Sequence, residues 1–324
     1  MPPDSPEGGL FTPADLAVVI PSHSQVECLK ICLESLLHWG GSACQIIVVD
    51  DGSEDCAVSR SASSFAGVRV IRNDQPGGFA RAANLGMRSS DRPVIQLLND
   101  DARVTGDWAQ KALGAFTDPR VGAVAPLVLK EGGLSGELDS AGDRFTLAGV
   151  VGKRGHGKPH KSAATKGGRW VLGASASSAF YRRVALEEVG FLDESFGAYF
   201  EDVDLSLRLN KKGWRVWHEP SSLVYHRVSS SYGRRPRPDL LRMQSRNEER
   251  LFWRHVPSPW IFAGAPLHMA ALCAKAVKNW RKGTLFPFLH GKGDAWREIF
   301  LSKTPRLART ASHANPWEWN LDLW

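Results

Sequence analysis

The chain has 324 residues, 43% of them hydrophobic and 23% charged, the composition of an ordinary globular protein large enough for one big core or two modest ones. Its formal net charge of +7 is uneven: residues 227–324 hold 17 Lys/Arg against 7 Asp/Glu, residues 1–226 hold 24 against 27, and the basicity therefore belongs to the C-terminal part. Five cysteines without a CxxC pair argue for reduced thiols in a cytosolic setting rather than a disulfide framework or a zinc site.

Residues 1–14 lack the basic and apolar regions of a signal peptide and are expected to form a short disordered tail. From Asp15, short apolar runs alternate with longer helical stretches. LAVVIP (Leu16–Pro21) leads to the helix-like ECLKICLESLLHW, in which Cys28 and Cys32 stand one turn apart and are read as packing residues. QIIVVDDGS (Gln45–Ser53), VRVIRN (Val68–Asn73), PVIQLLNDD (Pro93–Asp101) and VGAVAPLVL follow, each separated by a helical segment. Continuous apolar strands separated by helices predict a parallel sheet covered on both faces. Ligands in such sheets sit beyond the carboxyl ends of the strands. Pro21-Ser22-His23, Asp50-Asp51-Gly52 and Asn99-Asp100-Asp101 all fall at those ends.

Past Leu129 the periodicity fades. GKRGHGKPHKSAATKGG (152–168) is too polar to pack, and two readings stay open: a solvated loop, or a lid whose cations meet phosphate oxygens. Pattern resumes with RWVLGASASSAFYRR, a helix at VALEEVG, and FLDESFGAYFEDVDLSLRLNKKGWRVWHEP. Beyond His255, aromatics and aliphatics mix with Lys275, Lys278, Arg281, Lys282 and Lys292. Basic amphipathic helices of this kind suit the surface of an anionic bilayer, or else pack on the catalytic domain or a second subunit. The most apolar run, Trp260–Ala274, is interrupted by His268 and followed by Lys275, short of the roughly 20 uncharged apolar residues of a membrane-spanning helix. No nucleic-acid module accompanies the charge, so nucleic acid is not an expected partner.

The acidic clusters make chemical sense together if the ligand is a nucleotide bearing Mg²⁺ or Mn²⁺. Such cations take oxygen ligands and keep some waters, so one or two carboxylates and a diphosphate complete the shell. Asp101 is the first choice as ligand, with Asn99 two positions away on the same side of an extended backbone. The same residues also favour a simple turn. Asp50 and Asp51 admit the same two readings, turn or ribose and base contact. Glu201-Asp202-Val203-Asp204 opens a short amphipathic helix; capping accounts for one or two of these carboxylates, and another at the lip of a crevice is a candidate general base. A GxGxxG turn is absent after the first strand and no GxxxxGK[ST] is present, which sets aside dinucleotide-dependent dehydrogenases and P-loop enzymes.

The ordered set VVIPSHSQ, IIVVDDGS, NDQPGGFARAAN, LLNDDA, LGASASSAFYRR, VGFLDESFGAYFEDVDLSLRL and VYHRVSSSYG resembles family-2 glycosyltransferases of the GT-A type, over about Asp15 to His255. Within them it is most similar to the rhamnosyltransferase-like branch of cell-surface polysaccharide synthesis. The resemblance implies a GT-A, Rossmann-like, mostly parallel α/β catalytic domain (15–255), and the basic, aromatic-rich segment beyond it is expected to form a C-terminal helical region (256–324). It implies inverting transfer of rhamnose or another hexose from a nucleotide-diphosphate donor to a glycan or lipid-linked glycan, on the cytoplasmic face of a membrane. By it, Pro21, Ser22, Asp50, Asp51, Gly78, Phe79, Asn84 and Asp100 line the donor nucleotide. Asp101, Asn99 and His226 face the divalent cation, and Asp202, with Glu201, carries the base. Gly173, Ala174 and Tyr199 lie on the acceptor side. Asn99 stands where the family's Asp-x-Asp has its first carboxylate, which weakens the expected metal grip. A catalytically weak nucleotide-sugar-binding or assembly protein is the alternative.

Overall fold

The computed structural model describes residues 10–131, 136–160, 167–227, 237–256 and 258–300. Parts of the expected tail, of the 152–168 loop and of YHRVSSSYG, and all of 301–324, lie outside the described residues.

The strands are β1 (Leu16–Ser22), β2 (Gln45–Asp51), β3 (Val68–Asn73), β4 (Val94–Leu98), β5 (Ala102–Val104) and β6 (Val121–Lys130). They continue with β7 (Leu138–Ser140), β8 (Asp143–Phe145), β9 (Val151–Lys153), β10 (Arg169–Val171), β11 (Ser178–Arg182) and β12 (Arg215–His226). The helices are α1 (Val26–His38), α2 (Ala57–Ala62), α3 (Phe79–Arg88), α4 (Trp108–Ala115), α5 (Arg183–Val189), α6 (Glu201–Lys211), α7 (Pro238–His255), α8 (Ser258–Arg281) and α9 (Leu285–Phe300).

The main sheet runs β10-β12-β6-β11-β4-β1-β2-β3, with β5 on β12 and β7 on β6. Its β4-β1-β2-β3 half is parallel throughout, as the apolar runs predict. Alternation explains why every residue of β1 is buried: Leu16, Val18 and Ile20 enter one core with α1, α2 and α4, while Val19 enters the other with α3, α5 and α6. Gly86 lets α3 lie flat on the sheet, because a Cβ there would stand 2.3 Å from Val19 Cγ1 and 2.8 Å from Val49 Cγ2.

One feature departs from the simple alternating pattern. β11 enters between β4 and β6 and runs antiparallel to both. The chain reaches it from the β8–β9 hairpin and β10, an excursion whose small and polar residues carry no clear period. β12, parallel to β6, then delivers His226 to the same end of the sheet where β4 ends.

α7 packs along α9 and forms a third apolar core with α6, in which Leu251 and Phe252 meet Val203, Leu207 and Phe196. α8 is one continuous helix, long and apolar enough by length and composition to cross a membrane, with only 11% of its apolar window buried. Sequence reading breaks this run at His268, but His268 turns inward, 4% exposed, and its Nε2 lies 3.1 Å from Glu249 of α7. The polar interruption is thereby removed from the helix's outer face.

Glu249 is a hub: it also accepts hydrogen bonds from Trp253 (2.8 Å) and Trp296 (2.9 Å) and pairs with Lys292 at 3.2 Å. Burial would raise its carboxyl, but the His268 hydrogen bond, Lys292 and Trp296 outweigh it and bring it down to about 2. A depressed carboxyl stabilises the fold above its unfolded value of about 4.3 and loses that contribution as pH falls towards 2, a loss of about 3 kcal/mol. Acid titration of thermal stability is therefore expected to fall more steeply over that window in the native chain than in Glu249→Gln, which is less stable at neutral pH and flatter in acid.

Candidate active site

The carboxyl ends of β1, β2 and β4 meet at one edge, and the turn after β4 shapes it. Asn99 donates its N–H to Ser177 O (3.1 Å) and accepts from Ala102 N–H (3.1 Å), so the Asn-Asp-Asp segment is indeed a tight turn. The turn also aims its side chains. Asp100 accepts the Ser22 hydroxyl at 2.7 Å, and burial, reinforced by the neighbouring Asp101 charge, pushes its carboxyl up to about 7 despite that hydrogen bond. Asp101 faces His226 Nε2 at 3.0 Å, and Asn99 Nδ2 lies 3.3 Å from the same nitrogen.

His226 is held from both sides, since its Nδ1 lies 3.0 Å from Asp139 Oδ2. Burial alone would lower its pKa, but the two carboxylates win and raise it to about 9, so the ring is an imidazolium at neutral pH. A protonated Nε2 facing an amide NH₂ is repulsive. Turning the Asn99 amide over would bring its Oδ1, which has no hydrogen-bond partner among the described residues, onto that proton.

Asp139 is fully buried and also receives Lys153 Nζ at 2.9 Å and His156 Nδ1 at 3.4 Å. Burial opposes its charge, yet these cations and His226 hold its carboxyl well below the usual range. The Lys153 charge extends to Asp143 and Asp202, where it favours the ionised form. Asp101, His226, Asp139, Lys153, Asp143 and Asp202 thus form one electrostatically connected series.

The three carboxylates at the start of α6 have three fates, and none is a conventional N-cap. Asp204 is buried against α7, accepting from Arg208 Nε and His255 Nε2 at 2.8 Å each, with Arg254 at 3.4 Å. Asp202 is half-buried and accepts the backbone N–H of Ala176 and of Val203, both at 2.8 Å. Its carboxyl is raised by burial, with the two N–H groups and Lys153 holding it back. Glu201 points into the interior, 4% exposed, with Oε2 lacking a partner among the described residues; burial and the Asp202 charge drive its pKa well up. It does not stand at the crevice lip beside Asp202.

On the nucleotide side the predicted residues divide. Asp51 orders the loop before α3, accepting from Asn73 Nδ2 (2.8 Å), Gly77 N–H (2.9 Å) and Gly78 N–H (2.8 Å). Gly78 holds φ +84°, and Phe79 begins α3, partly buried against the second core. Asp50, Asn84, Pro21 and Ala174 are buried, and the two polar side chains among them are taken up by hydrogen bonds within the protein. Asp50 accepts from Ser53 N–H (2.8 Å), Ser59 N–H (3.1 Å), both serine hydroxyls and Arg72 (2.6 Å). Asn84 ties α3 to Leu192 and Glu194, Pro21 is buried within β1 beside Val49, and Ala174 is fully buried. Gly173 packs against Ser206, and its carbonyl accepts Asp143 N–H at 2.8 Å. Tyr199 is half-buried with φ +70°.

Residues 17–190 match the family model "Glycosyl transferase family 2". The chain belongs to glycosyl transferase family 2. This family-2 chain is 30% identical to the pre-mycofactocin glycosyltransferase of Mycobacterium tuberculosis over 218 residues, 65% of the chain and 42% of that protein, so it spans less than half of that relative's length. It is 26% identical over 275 residues to N-acetylglucosaminyl-diphospho-decaprenol L-rhamnosyltransferase of the same organism, covering 77% of the chain and 90% of the relative. The mannosyltransferase PcManGT from Pyrobaculum calidifontis, solved with GDP-Man and Mn²⁺, shares the fold at a TM-score of 0.56 with 16% identity, covering 89% and 88% of the two chains.

The family-2 chain brings the predicted metal residues Asp101, Asn99 and His226 together, but among its described residues no group of three or more His, Cys, Asp or Glu side chains is arranged to hold a metal ion. Asp101 and the orphaned Asn99 oxygen fit a hard cation; His226, with both nitrogens on carboxylates, does not fit without losing a proton. Sequence reasoning missed Asp139, Lys153 and Asp143. Lys153 was visible only as one cation of the polar loop, and Asp139 and Asp143 lie in ELDSAGD, a stretch without periodicity.

If Asp50 is structural, Asp50→Ala should cost about 2–4 kcal/mol, the range for breaking a buried hydrogen-bonded network, read as a fall in melting temperature. The affinity of the variant's folded fraction for nucleoside diphosphates, followed by calorimetry, should stay within about threefold of the native value.

Proposed function

We propose that this protein transfers a sugar, rhamnose or another hexose, from a nucleotide-diphosphate donor to a glycan or lipid-linked glycan with inversion at the anomeric carbon. The observation that carries the reading is Asp202: a half-buried carboxylate at the start of α6, fixed by two backbone N–H groups. Membership of family 2 and the two mycobacterial relatives support it. A single displacement needs a base on the acceptor side and a stabilised leaving group on the other. Asp202 takes the proton from the acceptor hydroxyl as its oxygen attacks; burial raises its pKa, which makes it a stronger base, and the two N–H groups and Lys153 oppose that rise. The donor diphosphate lies beside Asp101 and Asn99, where Asp51 and Gly78 order the neighbouring loop. A divalent cation held by Asp101 and the Asn99 amide oxygen would neutralise charge on the departing nucleotide.

Purified full-length protein incubated with UDP-, GDP- and dTDP-sugars and Mn²⁺ should release nucleoside diphosphate. Asp202→Asn should lower that release by about 10²–10⁴-fold, the usual worth of a general base, with donor affinity within about threefold. Undiminished release by Asp202→Asn rejects this base. Tight donor binding with no release by the native protein favours instead the binding or assembly reading, which the Asn99 replacement and the locked His226 would then explain.

We further propose that α8 and α9 dock on the cytoplasmic face of an anionic membrane, where a lipid-linked acceptor would lie. In support, Phe262 is 84%, Phe286 74% and Trp280 69% exposed, and Lys278, Arg281 and Lys282 gather at the C-terminal end of α8. Aromatic rings suit the headgroup boundary, and each cation near such a surface adds about 1 kcal/mol. The protein should float with phosphatidylglycerol-containing vesicles, less so at high salt, and Phe262→Asp/Trp280→Asp should abolish flotation. Failure of the native chain to bind them would sink the idea.

A further inference from the structure

The carboxylates of α6 are preceded by a turn that the backbone does not adopt freely. Gly197 has φ +74°, and Tyr199 and Phe200 follow with φ +70° and +69°, a left-handed conformation that side chains make costly. Such geometry persists only where surroundings impose it. Here α7 holds the turn by its peptide carbonyls as well as by the buried Phe196 side chain, which packs with Leu251 and Phe252.

Asn247, in the middle of α7 and fully buried, donates through Nδ2 to the carbonyls of Phe196 (3.0 Å), Ala198 (2.9 Å) and Tyr199 (2.9 Å). Three acceptors share two hydrogens, so one contact is three-centred. The amide's orientation is fixed chemically: Oδ1 accepts from Arg246 Nε at 3.1 Å, a group that can only donate, while the carbonyls can only accept. Arg246 itself donates to Ser195 O (3.0 Å) and Phe196 O (3.1 Å), and Ala80 N–H, at the start of α3, donates to Gly197 O at 3.0 Å. One turn further into α6, Asp204 is tied to His255 and Arg254 of the same α7. α7 therefore grips both the strained entry and the first turn of α6, and Asp202 lies between the two grips.

We propose that Asn247 is a positioning residue for the reaction: by holding the carbonyls of Phe196, Ala198 and Tyr199 it imposes the left-handed turn that aims the Asp202 carboxylate at the acceptor hydroxyl. The inference rests on the reading of Asp202 as the base. It assigns a role in turnover to a helix outside the matched family segment, which ends at residue 190. No other side chain on α7 reaches all three carbonyls among the described contacts.

The test compares full-length Asn247→Ala, Asn247→Asp and Arg246→Met with the native chain, using whichever of UDP-, GDP- or dTDP-sugar the native chain turns over fastest. Active protein is counted by the stoichiometry of nucleoside diphosphate binding, so that partial unfolding does not enter kcat. Asn247→Ala and Asn247→Asp should each lower kcat by at least 30-fold, with the donor KM within about threefold, because aim is lost while the donor site is untouched. Asn247→Asp keeps the shape and removes the N–H donors, so a space-filling role would leave it near native activity. If either Asn247 variant does not fold, Arg246→Met, at a partly exposed position, carries the test with an expected kcat loss of about tenfold and the same constant KM. Values of kcat within threefold of native for the folded variants, or a loss confined to KM, overturn the proposal. Asp202→Asn is run alongside: native turnover in that variant rejects the base itself, whereas its inactivity beside fully active Asn247 and Arg246 variants rejects only the positioning role.

Discussion

Asp139 is the carboxylate on which the site depends. Completely withdrawn from water, it stays ionised only because Lys153, His156 and His226 surround it. A lone buried charge would be prohibitive, and its cost is offset by three partners that two separate stretches of chain bring to one place. His226 arrives at the end of β12, Lys153 at the end of β9, and His156 from the turn beyond it. Through His226 the same carboxylate fixes Asp101 at the end of the parallel half of the sheet. Through Lys153 it influences Asp143 and Asp202 on the other side.

This arrangement sorts the acids by the direction in which their surroundings push them. Asp139 and Asp204 are held ionised by cations and hydrogen bonds, Glu201 and Asp143 are driven towards the neutral acid by burial, and Asp100 and Asp202 lie between. Separation of this kind is how neighbouring carboxyls take different roles. Asp202 is the one that is raised, hydrogen-bonded by backbone and still half-exposed, which is the combination a proton acceptor needs.

The C-terminal helices extend the logic outward. α7 presents Asn247 to the turn before α6, and in the next two residues it presents Glu248 and Glu249 to Lys275, His268 and Lys292 of α8 and α9. The helix that holds the turn before α6 is thus also the one that docks the exposed apolar helices. Charge is neutralised on the inner side of α8, and aromatic surface is left on the outer side.

The parallel half of the sheet was legible in the sequence, because LAVVIP, the Ile46–Val49 stretch of QIIVVDD and, apart from Gln96, PVIQLL are continuous apolar runs, which fit strands buried on both faces. Asn99-Asp100-Asp101 stood out for a related reason: acidic residues directly after such a run mark where the strand ends. The roles of individual acids were not. Asp50 and Asp51 are adjacent and identical in type, yet one is saturated by its own turn and the other orders the loop before α3; the difference is made by Ser59, Arg72 and Asn73, far along the chain. Asp139, Lys153 and Asn247 carried no local pattern, since ion pairs and carbonyl clamps are set by distance in space and leave no period in the sequence. Local periodicity fixes what a strand or helix buries, whereas the state of a charge depends on everything that surrounds it, and only the folded chain assembles those surroundings.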